Sequence, residues 1–380
     1  MNGVLPVETQ AFVRDAAFFA IDGGAVVFVP KQKRLYSLNR PAALVWQALR
    51  EGTQPREIAT SLMASYGLDA ANAELWYSQA VESFGALADD AHPEFDERRA
   101  DLRGAPAMPP SAATYQLLNQ TIRIAGPARA IEAIETLLGH LRRPPDLAPA
   151  EPELWITIAE QGETFVLDSG GDPTSTATLQ TLVAEVERRI VQDAVPRVPH
   201  FLSFHAALLE RNGSATLLSA PSGSGKTTLA VALAKAGWNL LSDELALVDR
   251  DLSWRGLPLR PCIKVENEAL IAQFNPAIRM TMAHERFGRR VKFLPMEVAT
   301  EPVSTRIVVF PRFAAGERTQ LVAVDPADGL ARLLSQCIYV PPGFVEHDVR
   351  RLLDWHATSR YLDLVFGSVA EAVSSLEQVL

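Results

Sequence analysis

Residues 214–243 read SATLLSAPSGSGKTTLAVALAKAGWNLLSD. Positions 215–219 form a short apolar and Thr/Ser run of the kind that makes a buried strand. The chain then turns through Ala220, Pro221, Ser222, Gly223, Ser224 and Gly225. Beyond Lys226-Thr227-Thr228, residues Leu229, Ala232, Leu233 and Ala236 recur at helical spacing, and Gly237 supplies the stop.

Strand, glycine-rich turn and helix in this order make a phosphate-binding loop, and each part has a physical job. Gly223 and Gly225 let successive backbone N–H groups turn inward around an anion, at the start of a helix whose dipole favours negative charge. Lys226 is expected to reach the β- and γ-phosphates, and the Thr227 hydroxyl to ligate Mg2+. Nucleotide contacts are therefore expected from Ser222, Gly223, Ser224, Gly225, Lys226, Thr227 and Thr228. Ala220 stands where the motif usually opens with glycine, a change that a negative φ tolerates. The bland alternative is a tight strand-to-helix connection that binds nothing.

The chain has 380 residues, enough for two or three domains with their own cores. Its 45 acidic and 36 basic residues give a net charge of −9, which argues against nucleic acid as the main partner. Cys262 and Cys337 lie far apart and form no CxxC pair, so neither a disulfide framework nor a zinc site is indicated. The seven histidines include no HExxH. No targeting segment or membrane-spanning run is apparent, and the expectation is a soluble, cytoplasmic protein.

Residues 18–21, 25–29 and 35–38, separated by a turn at Asp22-Gly23-Gly24 and a polar turn at 31–33, pattern as a small antiparallel meander. Ala42, Val45, Trp46 and Leu49 then make one helical stripe, opened by Asn39 and Pro41. Ile58, Leu62 and Tyr66 make a second, expected to be capped by Thr53, and Trp76, Ala80, Phe84 and Leu87 a third. The order of strands followed by LYSLNRPAALVWQALREGTQPREIATSLMASYG, residues 35–67, resembles PqqD, the small peptide chaperone of pyrroloquinoline quinone biosynthesis, and related recognition elements of ribosomally made peptide pathways. The resemblance implies a winged-helix-like domain over residues 1–95 that holds a leader peptide as an added strand. It places the docking surface at Leu35, Tyr36 and the third helix, with Trp76 and Phe84. A winged-helix dimerisation or regulatory module fits the same pattern.

Residues 96–112 are charged, then rich in Pro and Ala, and are expected to be a linker. A mixed α/β subdomain is expected over 113–195, with a strand at 115–124, a helix carrying Ile131, Ile134, Leu138 and Leu141, a hairpin at 154–159 and 164–167, and a helix at 179–191. It shows no catalytic constellation.

Residues 201–249 are similar to HPr kinase/phosphorylase and its kinase-like relatives, which share a P-loop fold with phosphoenolpyruvate carboxykinases. Three features carry the resemblance: His205 in FHAALLERNG, fifteen residues before Ala220; the glycine-rich loop; and Asp243-Glu244 in NLLSDELALVD, where the family usually has two aspartates. A helix returning to an adjacent parallel strand would deliver Asp243 and Glu244 to the sheet edge that carries the loop. The resemblance implies catalytic roles for Asp243, as base, and for His205 and Lys226, with Thr227 and Glu244 around Mg2+. His205 also fits a core histidine with one satisfied nitrogen.

Further on, Arg255-Gly256 in RGLPLRPCIKVEN matches part of that family's Glu-x-Arg-Gly-x-Gly signature, but Ser253 and Pro258 depart from it and put a phosphorylase activity in doubt. Lys264, Asn267, and Arg289-Arg290 in RFGRRVKF are candidate substrate contacts, and they equally fit a solvated rim. Strands at 305–310 and 320–324 and helices at 330–338, 345–357 and 369–380 complete a 196–380 catalytic domain, with a break at Pro341-Pro342-Gly343.

The fold class expected is α/β, a P-loop kinase domain of the HPr kinase/PEP carboxykinase type behind a small α+β winged-helix-like domain. The function expected is phosphorylation of a Ser or Thr hydroxyl in a ribosomally synthesised precursor peptide, using Mg2+ and ATP or another nucleoside triphosphate. A small-metabolite kinase, acting on free serine for example, and a nucleotide-switched peptide chaperone without phosphoryl transfer remain open alternatives. So does a homo-oligomer, because the resembled kinases include hexamers.

Overall fold

The computed structural model describes residues 7–89, 111–148, 152–169, 175–341 and 343–378. Contacts divide the chain into two compact units, Met1–Phe95 with Ala323–Leu362, and Asp96–Val322 with Asp363–Leu380. Ala323–Leu362, expected within the 196–380 domain, thus groups with the N-terminal unit. Most of the expected linker, residues 96–110, lies outside the described residues, as does Pro342 of the expected break.

In the first unit, helix α1 (Val7–Asp15), which the sequence reading did not anticipate, precedes an antiparallel sheet ordered β1 (Ala17–Ile21), β2 (Gly24–Val29), β3 (Arg34–Asn39). Three helices follow: α2 (Arg40–Arg50), α3 (Pro55–Tyr66) and α4 (Ala70–Asp89). Asn39 Oδ1 accepts the Ala42 N–H at 3.0 Å and starts α2. Gln54, not the expected Thr53, caps α3, because Pro55 in the first turn fixes the entry one residue later.

Strand alternation decides the packing of this unit. Ala25, Val27 and Val29 turn to one face and share a core with Trp46, Ile58, Leu62 and Phe84. Val26 and Phe28 point to the other face and are also buried. Phe344 from the returning segment meets the Phe28 ring at 5.0 Å. A meander of this size buries too little by itself, and each large side chain fully covered adds about 1.5–3 kcal/mol. The segment Ala323–Leu362 groups with this unit and adds to the cover on that face.

The second unit opens with a five-stranded sheet, β4 (Ser111–Leu117), β5 (Gln120–Gly126), β6 (Leu154–Gln161), β7 (Thr164–Asp168) and β8 (Ser175–Thr178), in that order. The single strand expected at 115–124 is in fact a hairpin: Leu118 takes a left-handed φ of 54° and reverses the chain. Helices α5 (Ala128–Leu138) and α6 (Leu182–Arg189) bury Ile134, Leu137 and Val186 in the same core as Ile122 and Ile156.

Next come β9 (Leu202–Arg211), β10 (Ser214–Ser219), α7 (Lys226–Lys235), β11 (Asn239–Ser242), β12 (Leu245–Val248) and β13 (Trp254–Gly256). Long β9 is the spine: β10 pairs antiparallel along one edge, while β12 and β11 pair antiparallel along the other. β10 and β11 therefore run in the same direction, but they are not the adjacent pair expected from the sequence, since β9 lies between them. Both still end at one edge of the sheet. A side chain at Gly256 would collide with the Leu241 carbonyl, so this position of the Arg-Gly pair serves close strand packing.

A separate three-stranded sheet, ordered β14 (Cys262–Lys264), β16 (Arg289–Phe293), β15 (His284–Arg286), follows, with the short helix α8 (Glu268–Ile271) between β14 and β15 in the chain. Strand β17 (Thr305–Phe313) then pairs parallel with β10. Among the described residues no helix is long and apolar enough to cross a membrane.

Candidate functional site

The loop after β10 takes the shape its glycines allow. Gly223 and Gly225 have φ of 92° and 91°, and Gly225 ends the turn immediately before α7. A Cβ at Gly223 would meet open space, whereas one at Gly225 would press on Phe313 and Phe366 at 3.1 Å. The Phe313 N–H donates to the Ser224 carbonyl at 2.9 Å, fastening the loop to β17. The Ser224 hydroxyl is buried, and Ser224 is absent from the cavity wall.

Lys226, at the first position of α7, is only 6% exposed. Its Nζ lies 2.9 Å from His205 Nε2, and burial lowers its pKa from the usual lysine value. His205 sits on β9 opposite Leu245, one residue beyond Glu244. The same Nε2 lies 3.5 Å from Glu244 Oε2. That nitrogen can accept from the lysine ammonium or donate to the carboxylate, not both, so its tautomer sets which neighbour it serves.

Asp243 follows β11 and is 3% exposed, with Oδ2 lacking a hydrogen-bond partner. Burial first, and the neighbouring Glu244 charge second, push its carboxyl up to about 7. Burial would raise Glu244 too, but the His205 hydrogen bond and the charges of Arg286, His205 and Lys226 hold it below the usual range. Two adjacent carboxyl groups thus have opposite proton affinities, the arrangement that separates acid and base roles.

Arg286 and Glu187 were not expected here. Arg286 Nε and Nη2 donate to the two oxygens of Glu187 at 2.8 and 2.9 Å, and Nη1 donates to Glu244 at 3.2 Å. Burial works against the guanidinium charge, but Glu187 and Glu244 hold its pKa above the ordinary arginine value. Glu187 lies on α6, a helix that also carries Glu185, Arg188 and Arg189, and in such a run a Glu reads as solvated. A local signal did exist for Arg286. Phe287-Gly288 is a two-residue turn, which pairs Arg286 with Arg289 and Glu285 with Arg290.

These groups face a cavity of about 450 Å3. Ser222, Gly223, Gly225, Lys226, Thr227 and Thr228 form one wall, with His205, Asp243 and Glu244 beside them. Cys262, Lys264, Asn267, Arg286 and Arg289, from the β14–β16 sheet and the turn after β14, also line the cavity. Arg290 does not line it: strand alternation sends Arg290 the other way from Arg286 and Arg289. Arg255 is also elsewhere, paired with Asp249 at 3.1 Å. Burial pushes the Cys262 thiol up, so it is not a ready nucleophile.

No group of three or more His, Cys, Asp or Glu poised to hold a metal ion occurs among the described residues. A divalent ion at this cavity would rest on Thr227, Glu244 and the oxygens of its ligand. The open backbone cradle, the buried lysine and the unpartnered Asp243 oxygen together suit a phosphate ester with an attached cation.

In the N-terminal unit, Leu35, Tyr36 and Trp76 are half-buried. Phe84 is not a surface residue: it is 1% exposed, its ring 4.8 Å from Trp46, because the inward stripe of α4 runs through Ala73, Tyr77 and Phe84. It therefore belongs to the core and not to a docking face.

Residues 24–83 match the family model described as coenzyme PQQ synthesis protein D (PqqD), which spans β2 to α4. Residues 172–257 match the model described as SynChlorMet cassette protein ScmC. The second match includes Glu187, the glycine loop and Asp243-Glu244, and ends before Lys264 and Arg286. No curated protein matches the chain. The chain thus carries a PqqD-like domain at its N-terminus and an ScmC-like segment around the cavity.

Proposed function

We propose that this protein is an ATP-dependent kinase of ribosomally made precursor peptides, with a P-loop kinase fold of the HPr kinase type in its second unit. PqqD-like domains bind precursor peptides, and that domain places this chain in a peptide-modifying context. The kinase part rests chiefly on one observation: Lys226, His205, Asp243 and Glu244 converge on the glycine loop within a single cavity.

The reaction follows from these groups. Loop N–H groups and Lys226 hold the β- and γ-phosphates of a nucleoside triphosphate. An acceptor Ser or Thr hydroxyl attacks the γ-phosphorus, the bond from that phosphorus to the bridging oxygen breaks, and the nucleoside diphosphate leaves. Asp243 takes the hydroxyl proton, for which a carboxyl titrating at about 7 is well matched. Thr227 and Glu244 would hold Mg2+, which neutralises phosphate charge. Binding of the leader by the first unit raises the local concentration of the core peptide.

Intact-mass spectrometry of the neighbouring precursor peptide, incubated with the protein and Mg-ATP, tests this directly. Gain of one phosphoryl group, absent with Asp243→Asn, supports the reading. Tight ATP binding with neither ADP nor phosphopeptide formed would replace it with a nucleotide-switched chaperone. Phosphorylation of free serine without any leader would replace it with a metabolite kinase.

A further inference from the structure

The part of the cavity lining that comes from the β15–β16 hairpin ends in an exposed aromatic side chain. Phe287 is 82% exposed and lines the cavity. It occupies the tip of the β15–β16 hairpin with a left-handed φ of 51°, followed by Gly288 at 70°. Turns of this kind favour Asn or Gly at both positions, and a bulky residue there is strained. Neither solvation nor turn chemistry asks for phenylalanine here. Strain of this sort gathers at functional sites.

Its surroundings define what it could hold. Leu270, 38% exposed, lines the same cavity and extends the apolar rim. The Arg286 guanidinium lies 5.1 Å from the Phe287 ring centroid and steadies it from one side. Lys264 and Arg289 also line the cavity, and their side chains have no hydrogen-bond or ion-pair partner among the described residues. Arg286, by contrast, is committed to Glu187 and Glu244. In a protein of net charge −9, an apolar rim beside two unpaired cations is a local exception.

Phosphates are already provided for by Lys226 and the loop. We infer that the Phe287 rim, with Leu270, Lys264 and Arg289, is the acceptor-recognition surface, selecting a peptide segment whose hydroxyl residue is flanked by an acidic and an apolar side chain. The inference rests on the kinase reading for what is done to that hydroxyl, but recognition itself can be measured without turnover. The aromatic ring would anchor the apolar neighbour, and the cations would pair with the acidic one.

The discriminating variant is Phe287→Asn. Asparagine is at home at positive φ, so the turn is kept or improved while the ring is lost. The probe is a short fluorescent peptide without leader, Ser-centred with Asp and Leu neighbours, followed by anisotropy on the full chain. The control peptide carries Lys and Gly instead. Expected is a loss of about tenfold or more for Phe287→Asn. Arg289→Gln should weaken the Asp peptide but not its Asn counterpart, with Mg-ATP binding unchanged in both variants.

Binding within twofold of wild type for Phe287→Asn, or equal binding of the control peptide, overturns the inference. So does an Arg289→Gln defect confined to Mg-ATP, which would assign that cation to the nucleotide. Wild-type protein that binds the Asp-Leu peptide and never phosphorylates it refutes the kinase reading and leaves the recognition surface standing. Phosphorylation indifferent to the neighbouring residues does the reverse.

Discussion

The PqqD-like domain and the cavity-bearing unit both have apolar cores, but only the second also buries a cluster of charged side chains around a cavity. Around the meander the core includes Val27, Trp46, Ile58, Leu62 and Phe84, and within residues 24–83 no charged residue is buried. Beside the glycine loop, Lys226, Asp243 and Glu187 are all nearly sealed from solvent. Apolar burial stabilises; burial of ionisable groups costs several kcal/mol per charge unless geometry repays it. A domain that captures an extended strand through backbone hydrogen bonds needs no such groups, whereas phosphoryl transfer needs charges held away from water. On the kinase reading proposed above, the contrast is between a region that recognises shape and a region that gives up stability for chemistry.

The sharpest way to break this contrast is Asp243→Asn. Phosphopeptide formation in single turnover should fall by about 10²–10⁴-fold, while capture of a leader peptide stays within twofold. The wild-type rate should rise with pH through about 7, because the base must be ionised. A flat profile, or loss of leader capture, would mean the two regions are not separable in this way.

Next in size is the apolar side. Trp46 is fully buried between Phe12 and Phe84, at 5.6 and 4.8 Å. Trp46→Ala should cost about 3–5 kcal/mol in the first unit. Because two units need not unfold together, this is best followed by hydrogen exchange resolved to α2 and α4. Nucleotide binding by the other unit should persist.

What the sequence reveals divides along the same line. Gly223 and Gly225 are marked by the left-handed turn they permit and Lys226 by its place at the helix start, so their position at the cavity shows in a short stretch. Asp243-Glu244 and His205 were legible through their spacing from that stretch, although the parallel strand expected next to β10 is displaced by β9. Glu187 and Arg286 were not legible, since they pair across segments about a hundred residues apart in the chain. In the first unit the elements follow from periodicity, yet Phe84 was assigned to the surface. A helical stripe gives spacing but not which of its ends is covered. The covering of β2 by Ala323–Leu362 has no local signature at all.

Asp243 also allows the stability cost to be weighed. Its folded pKa of about 7 lies above the ordinary aspartate value of 3.8, so the proton is bound more tightly in the folded state. The stability linked to that proton is fully present below about pH 4 and is lost as pH rises through 7. In EDTA, Asp243→Asn should therefore stabilise the protein increasingly between pH 4 and 7, then by a constant amount of the order of 2–4 kcal/mol. Thermal melts across that range check it. A variant no more stable than wild type at pH 8 would show that the buried carboxylate costs nothing, and the trade described above would fail.

The smallest effect asks whether Tyr36 docks a peptide or braces the domain. Its hydroxyl donates to Gln32 Oε1 at 2.9 Å, and Gln32 Nε2 donates to the Leu87 carbonyl at 3.0 Å, linking β3 to the end of α4. Tyr36→Phe removes that brace and keeps the ring. It should cost about 1 kcal/mol of stability and leave leader affinity within twofold. Tyr36→Ala should in addition weaken leader binding several-fold, measured by anisotropy with a labelled leader. Equal affinity losses for both substitutions would mean that the hydroxyl network, and not the ring, shapes the binding edge, and that even the shape-recognising region depends on one polar contact.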